Sequence, residues 1–383
     1  MVPCTHSPSE IHTGPRRRNT QLDNFTRALL VGKMTTVTLP TIYLFVFLVG
    51  LPSSLLALWM SVFRPGERGR THPRTSTSIY VLNLAAVDFL YVLFLPLQIV
   101  YHFGGNHWPF GRVLCHLMTT LLYLNTHCSI FFLTCVSVDR YLAVVRPQTA
   151  RNLRTPRVAT GACVGVWLFV LLLTGPLHAV SLVHSVPELS ITTCYDVFPK
   201  SDGVVTFFQA YCIVFFLVVF LAPFSTTVFC YLTVIKTLLT GGGPQGKGSR
   251  VRRRAIQLSI VVLLTFVICF APCNLVLITH SLLHRTQGQS GLYGVYKLCL
   301  ALSSLNTCFD PFVYYLVLRD FRRRIVTFLC PWLVKEDDSK SIFTKVIGLV
   351  VNCRSMFLHP SWSILKAHAR TIYVAKIMDI ELF

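Results

Sequence analysis

The sequence predicts an all-α membrane protein, a bundle of seven transmembrane helices with a short amphipathic eighth helix. Hydrophobic residues make up 53% of the 383-residue chain and charged residues only 13%, about half the charge of a soluble domain. The apolar residues are gathered in seven long stretches, and Lys and Arg are concentrated in alternate connections between these stretches. This composition excludes an ordinary soluble enzyme.

Each apolar stretch is long enough to cross a hydrocarbon core, which takes about 20 residues in a helix. We number them spans one to seven, at residues 36–63, 77–101, 113–145, 158–180, 204–239, 256–283 and 293–318. The predicted organisation is an N-terminal segment (1–35), a seven-span core (36–318), a membrane-surface helix (319–330) and an atypical, partly apolar tail (331–383). The Arg cluster of the surface helix favours contact with anionic membrane lipids.

The basic residues predict the orientation. The connections after spans one, three and five carry four, four and five Lys or Arg residues, whereas the others offer little beyond Lys200 and Arg285. Short loops rich in Lys and Arg stay in the cytoplasm, so we expect an extracellular N-terminus in the plasma membrane. Arg16, Arg17 and Arg18 oppose this orientation, but three loops outweigh them. Because the net charge of +20 is dispersed over these loops, a main role in nucleic-acid binding is excluded.

Three kinds of covalent modification are expected from this orientation. Asn24 lies in a glycosylation triplet on the predicted outer side. Cys115 and Cys194 both lie on the oxidising side, so we expect a disulfide that ties the second outer loop to span three. On the inner side, Cys330 follows the surface helix at a spacing suited to palmitoylation, although a free thiol remains an alternative.

Two acidic residues lie within predicted membrane spans, Asp88 in span two and Asp310 in span seven. An ionisable group inside a membrane faces a polar cavity by default. Together with Ser129 and Asn306, the two carboxylates could share a hydrated pocket that holds a cation. The alternative is a protonated carboxyl group that is hydrogen-bonded to neighbouring amides.

Taken together, these elements resemble a rhodopsin-like (class A) G-protein-coupled receptor. The motifs that carry the resemblance are Asn83 to Asp88, Cys115, Asp139-Arg140-Tyr141, Trp167, Pro223 with Tyr231, Phe266 to Pro272, and Asn306 with Asp310 to Tyr314. Phe270 stands where many members have Trp, and Asp310 where many have Asn. These two positions resemble the purinoceptor, lysophospholipid and protease-activated branch.

Several positions depart from particular members of the family. Leu122 stands where amine receptors carry Asp, and Ser304 stands where opsins carry the retinal lysine, so neither ligand is expected. Nucleotide-binding members place a His and a basic residue where this chain has Asn274 and Leu277, which weakens a nucleotide assignment. In span one, Ser54 replaces the usual Asn.

The resemblance implies a mechanism of activation. Phe266 and Phe270 would pack at the Pro272 kink as hinge contacts, and a sodium-type pocket of Asp88, Ser129, Asn306 and Asp310 would favour the inactive arrangement as the only cofactor site. On activation, Arg140 would leave Asp139 and meet Tyr231 and Tyr314, which would open a cavity for a heterotrimeric G protein. No acid in span six pairs with this Arg, so some basal activity is expected.

The ligand is expected to be anionic, because the outer side carries cations and few acids. Lys297 is the expected anion anchor, with Arg112, Tyr123, Asn274 and Tyr296 as the other candidate ligand-binding residues. The alternative for Lys297 is a side chain that only reaches out to water. His127, deeper in span three, is expected to be a hydrogen-bonded core residue.

The sequence therefore predicts a receptor for an extracellular lysophospholipid or lipid conjugate that activates G12/13 or Gq proteins. The alternative is a receptor-like scaffold or heteromer partner that does not signal. A transporter is disfavoured because the spans show no internal repeat. An enzyme is disfavoured because no HExxH, Walker A or GxSxG motif occurs.

Overall fold

The computed structural model describes residues 24–62, 75–176, 181–195, 210–240, 247–287, 292–318 and 321–322. Within these ranges the chain is helical apart from its connections and one two-stranded hairpin. Cys330, the tail and most of the predicted eighth helix lie outside the described residues. The backbone of Asn24 is described as the first residue of a helix.

Helices occupy all seven predicted spans, and the span numbers are kept for them. Their bounds are Leu39–Val62, Ser76–Phe103, Gly111–Val145, Pro156–Thr174, Ala222–Thr240, Lys247–Thr265 continued by Ala271–Gln287, and Leu292–Ser303 continued by Asn306–Val317. One wide helical turn lies at the start of span one, at Met34–Thr38, and a second lies within the Ala210–Thr240 helix of span five, at Phe216–Leu221. A third joins the two parts of span six at Phe266–Phe270. Six described helices are long and apolar enough to cross a membrane by themselves.

Span seven is the exception, because its helix is interrupted at Ser304 and Leu305. An interrupted helix leaves backbone groups without their usual partners, which in a membrane is tolerated only inside the protein. Both Ser303 and Ser304 are fully buried, and the Ser304 hydroxyl is 2.9 Å from the hydroxyl of Tyr91 in span two. The break thus lies within the bundle.

Two short helices were not expected from the sequence. Asn24–Val31 precedes span one, and Pro147–Leu153 lies between spans three and four. The first is held by Asn106, whose side-chain amide donates to the Leu30 carbonyl at 2.6 Å and to the Thr35 hydroxyl at 3.1 Å. The N-terminal helix is thereby attached to the connection after span two.

Local sequence signals explain where spans two and four begin. The Thr75 and Thr155 hydroxyls accept hydrogen bonds from the backbone N–H groups of Ser78 and Val158, as N-cap side chains do. Pro156 follows Thr155 at the first helical position, where its missing N–H costs nothing. Spans two and four are then joined by the Trp167 indole, which donates to the Asn83 side chain at 3.1 Å.

The hairpin pairs strand β1 (Val183–Val186) with strand β2 (Ile191–Cys194) in antiparallel register. Cys194 is bonded to Cys115, as the sequence predicted, with 5.8 Å between the two Cα atoms. The Trp108 amide also donates to the Thr192 carbonyl at 2.7 Å. We call this end of the bundle the disulfide end. The opposite end, where span three finishes, is called the Arg140 end.

Close packing between spans one and seven generates a testable prediction. A Cβ atom added at Gly50 would lie 2.7 Å from a methyl carbon of Thr307 and 3.1 Å from a methyl carbon of Val92. Overpacking of this kind costs about 1–3 kcal/mol. We expect Gly50→Ala to lower the apparent melting temperature of the purified protein in detergent. Gly161→Ala is the control, since no atom lies within 4 Å of its added Cβ; equal melting temperatures for the two variants would refute the packing argument.

Candidate functional site

Three tyrosines and a lysine meet at the disulfide end, and we call them the tyrosine–lysine cluster. The Tyr123 hydroxyl is hydrogen-bonded to the Tyr195 hydroxyl and lies 3.3 Å from the Tyr296 hydroxyl. The Lys297 ammonium donates to the Tyr195 carbonyl at 3.2 Å and lies 4.9 Å from the centre of the Tyr195 ring. The cluster thus joins spans three and seven to the residue that follows the hairpin.

All four side chains of the cluster are buried, with Lys297 only 7% exposed. Burial raises the pKa of Tyr195 to about 12, so its phenol is neutral at physiological pH. The Lys297 ammonium is turned into the protein, which argues against the alternative of a side chain that reaches water. A buried ammonium beside neutral phenol groups is a site that favours an anion.

The structure does not bring the other two predicted ligand residues into this cluster. Asn274 is buried, but its side-chain amide donates to the Phe270 carbonyl of its own helix at 2.8 Å. Arg112 is exposed at the start of span three. Sequence analysis missed Tyr195, although its position next to Cys194 was a usable signal, because the disulfide places this residue beside span three.

The surroundings of His127 differ from the predicted hydrogen-bonded ones. It lies one turn along span three from Tyr123 and is 4% exposed, but neither ring nitrogen has a hydrogen-bond partner within the described residues. Its imidazole is instead packed between aromatic rings, stacked on Tyr123 at 5.5 Å and edge-on to Phe215 at 4.6 Å. The expectation of a hydrogen-bonded core residue is wrong for the described part of the chain, because both ring nitrogens lack a partner there and the ring packs against Tyr123 and Phe215.

In the middle of the bundle, three donors surround the Asp88 carboxylate. Asn125 donates to its Oδ1 atom at 2.8 Å and Thr307 at 3.1 Å, while the Tyr314 hydroxyl donates to Oδ2. The Asp310 side chain lies close to that of Asp88. Spans two, three and seven therefore converge on one carboxylate.

The four residues predicted for a sodium pocket, Asp88, Ser129, Asn306 and Asp310, are all fully buried. The Ser129 hydroxyl, both polar atoms of the Asn306 amide and both Asp310 oxygens have no hydrogen-bond partner within the described residues. Asn306 and Asp310 are four residues apart on span seven and hence share a helix face. Unpartnered oxygens of this kind are ligands that a small hard cation prefers, so these residues fit Na⁺.

Sequence analysis missed Asn125 and Thr307 as partners of Asp88. Asn125 is four residues before Ser129 and so lies on the same face of span three, which was the signal for it. Tyr314 was assigned to Arg140, but here it is bonded to Asp88. Which of two polar partners a tyrosine takes depends on the packing of span seven, and the sequence does not show this.

At the Arg140 end, the ion pair differs from the predicted one. The Asp139 carboxylate is paired with Arg154, whose Nε and Nη2 donate to its two oxygens at 2.9 and 3.0 Å. Ser76 and Thr77 donate to the same two oxygens. In this structure a two-pronged guanidinium from the loop after span three occupies the Asp139 carboxylate, so the expected partner Arg140 is replaced by Arg154. The movement of Arg140 on activation stays a prediction.

Arg140 lies close to Tyr231, and the Arg140 Nε atom and the Tyr231 hydroxyl are buried without hydrogen-bond partners among the described residues. Tyr141 packs its ring against Phe229 of span five, with 5.8 Å between centres.

The predicted hinge residues Phe266 and Phe270 are in edge-to-face contact, with 5.5 Å between ring centres. Both lie in the wide helical turn that ends just before Pro272, where a helix is locally loosened.

A seven-transmembrane receptor model, described as 7 transmembrane receptor (rhodopsin family), matches residues 68–314. The chain belongs to the rhodopsin family of seven-transmembrane receptors. This membership confirms the predicted family and fold class and makes the chain a multi-pass plasma-membrane receptor rather than an enzyme.

Among curated relatives, bovine (Bos taurus) Proteinase-activated receptor 2 is 43% identical over 79% of this chain and 74% of its own length. The human (Homo sapiens) S-geranylgeranyl-glutathione receptor is 40% identical over 80% of this chain and 83% of its own. Purinoceptor 8 of the chicken (Gallus gallus) is 36% identical over 90% of this chain and 94% of its own. These relatives confirm the branch that the resemblance indicated.

The ion pair at the Arg140 end generates a prediction. In Arg154→Gln, Asp139 loses its guanidinium partner, and Arg140 becomes the neighbouring cation that can pair with it. Because this pairing would draw Arg140 away from Tyr231, we expect a several-fold lower basal rate of nucleotide exchange on Gα. The control is Arg151→Gln, which removes an exposed cation from the same loop helix. Unchanged or higher basal exchange in Arg154→Gln would contradict the assignment.

The unpartnered oxygens near Asp88 generate a second prediction. We expect NaCl, compared with choline chloride at the same ionic strength, to raise the apparent melting temperature, because a ligand that binds only the folded state stabilises it. Asp310→Asn should abolish most of this sodium effect. Ser137→Ala is the control, since Ser137 also lies on span three and its hydroxyl donates to the Leu133 carbonyl of its own helix. A sodium effect of the same size in Asp310→Asn would rule out the pocket.

Proposed function

We propose that this receptor detects an extracellular anionic lipid at its disulfide end and activates heterotrimeric G proteins at its Arg140 end. The proposal includes the orientation, with the N-terminus and the disulfide end outside the cell. The observation that carries it is the buried Lys297 ammonium within the tyrosine–lysine cluster.

The ligand class follows from the cost of burying charge. Lys297 is 7% exposed, so most of the hydration of its side chain is lost, and an electrostatic contact with an anion is stronger in such a site of low dielectric than in water. A phosphate or carboxylate headgroup would add a charge-assisted contact to Lys297 and would accept hydrogen bonds from the neighbouring phenols of Tyr123 and Tyr296. The headgroup of the agonist would therefore bind Lys297, and its apolar chain would pack between the helices.

The relatives' names support an amphiphilic anion. One relative is named a receptor for S-geranylgeranyl-glutathione, which joins a carboxylate-bearing peptide to a prenyl chain. A lysophospholipid likewise combines a phosphate with a single apolar chain. We place the agonist of this receptor in the same chemical class. A nucleotide is less favoured, because Asn274 stands where nucleotide-binding members have a His or a basic residue, and its side chain is hydrogen-bonded to its own helix.

Coupling to the G protein is assigned to Arg140, Tyr231 and Tyr314, as the family mechanism implies. The Asp139 carboxylate is already paired with Arg154, so it would restrain Arg140 little in the inactive arrangement. This supports the expected basal activity, and G12/13 or Gq are the proposed partners. A receptor-like scaffold without signalling remains the alternative that an absence of exchange would favour.

A second candidate is activation by proteolysis, since four of the relatives are named Proteinase-activated receptor 2. The specific observation is the position of Arg16, Arg17 and Arg18, a site for a trypsin-like protease a few residues before the helix Asn24–Val31. That helix is attached to the bundle through Asn106. A new N-terminus formed there would be joined by a short segment to a helix that is attached to the bundle.

The decisive experiment measures GDP/GTP exchange on purified Gα subunits with the full chain in lipid nanodiscs. With oleoyl lysophosphatidic acid as the probe, we expect Lys297→Gln to raise the half-maximal concentration about tenfold or more, since a charge-assisted hydrogen bond is lost. Lys33→Gln, which removes an exposed cation just before span one, is the control and should leave it unchanged. Arg140→Ala should abolish exchange altogether.

Other results would point elsewhere. Equal lipid potency in the parent and in Lys297→Gln would exclude Lys297 as the anion anchor. Exchange that appears only after limited trypsin treatment, and is lost in an Arg16, Arg17 and Arg18 triple glutamine variant, would favour the proteolytic candidate. No exchange with any Gα at verified surface expression would favour the scaffold.

A further inference from the structure

We propose that the His127 imidazole forms a deeper subsite for the agonist and binds a hydrogen-bonding oxygen of the agonist below its anionic headgroup. This rests on the proposed function and narrows the agonist class. A lipid whose linker carries a hydroxyl or ester oxygen near the headgroup would fit the subsite, whereas a plain alkyl anion would leave it unfilled.

The first argument is that the imidazole has polar atoms without partners. His127 is 4% exposed, and neither Nδ1 nor Nε2 has a hydrogen-bond partner within the described residues. Buried polar side chains are nearly always hydrogen-bonded, so each exception calls for an explanation such as an unseen ligand. A neutral imidazole offers one donor and one acceptor, which can pair with a hydroxyl or a carbonyl oxygen.

The second argument is the position of the imidazole relative to the tyrosine–lysine cluster. His127 follows Tyr123 by four residues on span three, so it lies about 6 Å deeper along the helix axis. Its ring stacks beneath the Tyr123 ring, whose hydroxyl belongs to the cluster. A ligand whose headgroup is bound at Lys297 would reach His127 with atoms a few bonds from that headgroup.

The third argument concerns the surroundings of His127. Its described ring neighbours are the faces and edges of Tyr123 and Phe215, which present no polar atom to it. A buried water needs two to four polar partners, so a single water beside this imidazole would be poorly held. Phe215 also precedes the wide helical turn Phe216–Leu221, so span five is irregular beside the subsite, as helices often are at functional sites.

The chemistry of the subsite distinguishes two kinds of anionic lipid. In a monoacyl glycerophosphate, the glycerol hydroxyl and the ester oxygens lie a few bonds from the phosphate, a separation comparable with one helical turn. In an alkyl phosphate, the same positions are methylene groups, which cannot pair with the imidazole. His127 would thus be a specificity-determining residue for oxygen in the linker.

The test compares oleoyl lysophosphatidic acid with oleyl phosphate in the Gα exchange assay on the full chain in nanodiscs. The parent protein should respond to lysophosphatidic acid at a roughly tenfold lower concentration than to oleyl phosphate. In His127→Phe, which keeps an aromatic ring and removes the nitrogens, this ratio should fall close to one through weaker action of lysophosphatidic acid alone. His127→Gln keeps a donor and an acceptor, so its ratio of the two half-maximal concentrations should lie between that of the parent and that of His127→Phe.

His116→Phe is the matched control, because it makes the same change about three turns earlier on span three, at a partly exposed position. Each ratio is measured within one variant, so it does not depend on how much protein folds; if His127→Phe does not fold, His127→Leu takes its place. A ratio unchanged by removal of the nitrogens would overturn the subsite while leaving the anionic lipid in place. A parent protein that responds to neither lipid would instead refute the proposed function, and the subsite with it.

Discussion

The interaction on which the rest of the structure depends is the burial of one carboxylate, that of Asp88, in the middle of a membrane protein. An uncompensated charge in this position would be very costly, so donors from several helices must converge on it. Asn125 and Thr307 donate to one of its oxygens and Tyr314 to the other. The relative positions of spans two, three and seven are thereby constrained by hydrogen-bond geometry as well as by apolar packing.

This carboxylate also lies between the two regions that matter for signalling. Span three carries Tyr123 toward the disulfide end and Asp139 and Arg140 toward the other end, with Asn125 between them. Span seven is interrupted at Ser304 and Leu305, directly before the segment that contributes Thr307, Asp310 and Tyr314. A ligand-induced shift in either helix would alter the donors at Asp88, which gives the two ends a physical connection.

At both ends, polar side chains that the sequence marks as important take unexpected partners. Arg154, counted in the sequence only as one of the basic loop residues, forms the ion pair that was expected of Arg140. Tyr195, which no motif singled out, links Tyr123 and Lys297. In both cases the missing partner comes from a connecting loop, and local pattern does not indicate where a loop folds back onto a helix.

The sequence by itself determined the membrane class, the seven spans, the receptor family and the pairing of Cys115 with Cys194, because hydropathy, basic loops and spaced motifs are local properties of the chain. It also identified Asp88 and Asp310, since acids within apolar runs are conspicuous. Only the tertiary structure decided the partners: Tyr314 on Asp88, Arg154 on Asp139, and aromatic rings instead of hydrogen bonds around His127. A side chain's partner depends on which helix faces it, and that is settled by packing between distant parts of the chain.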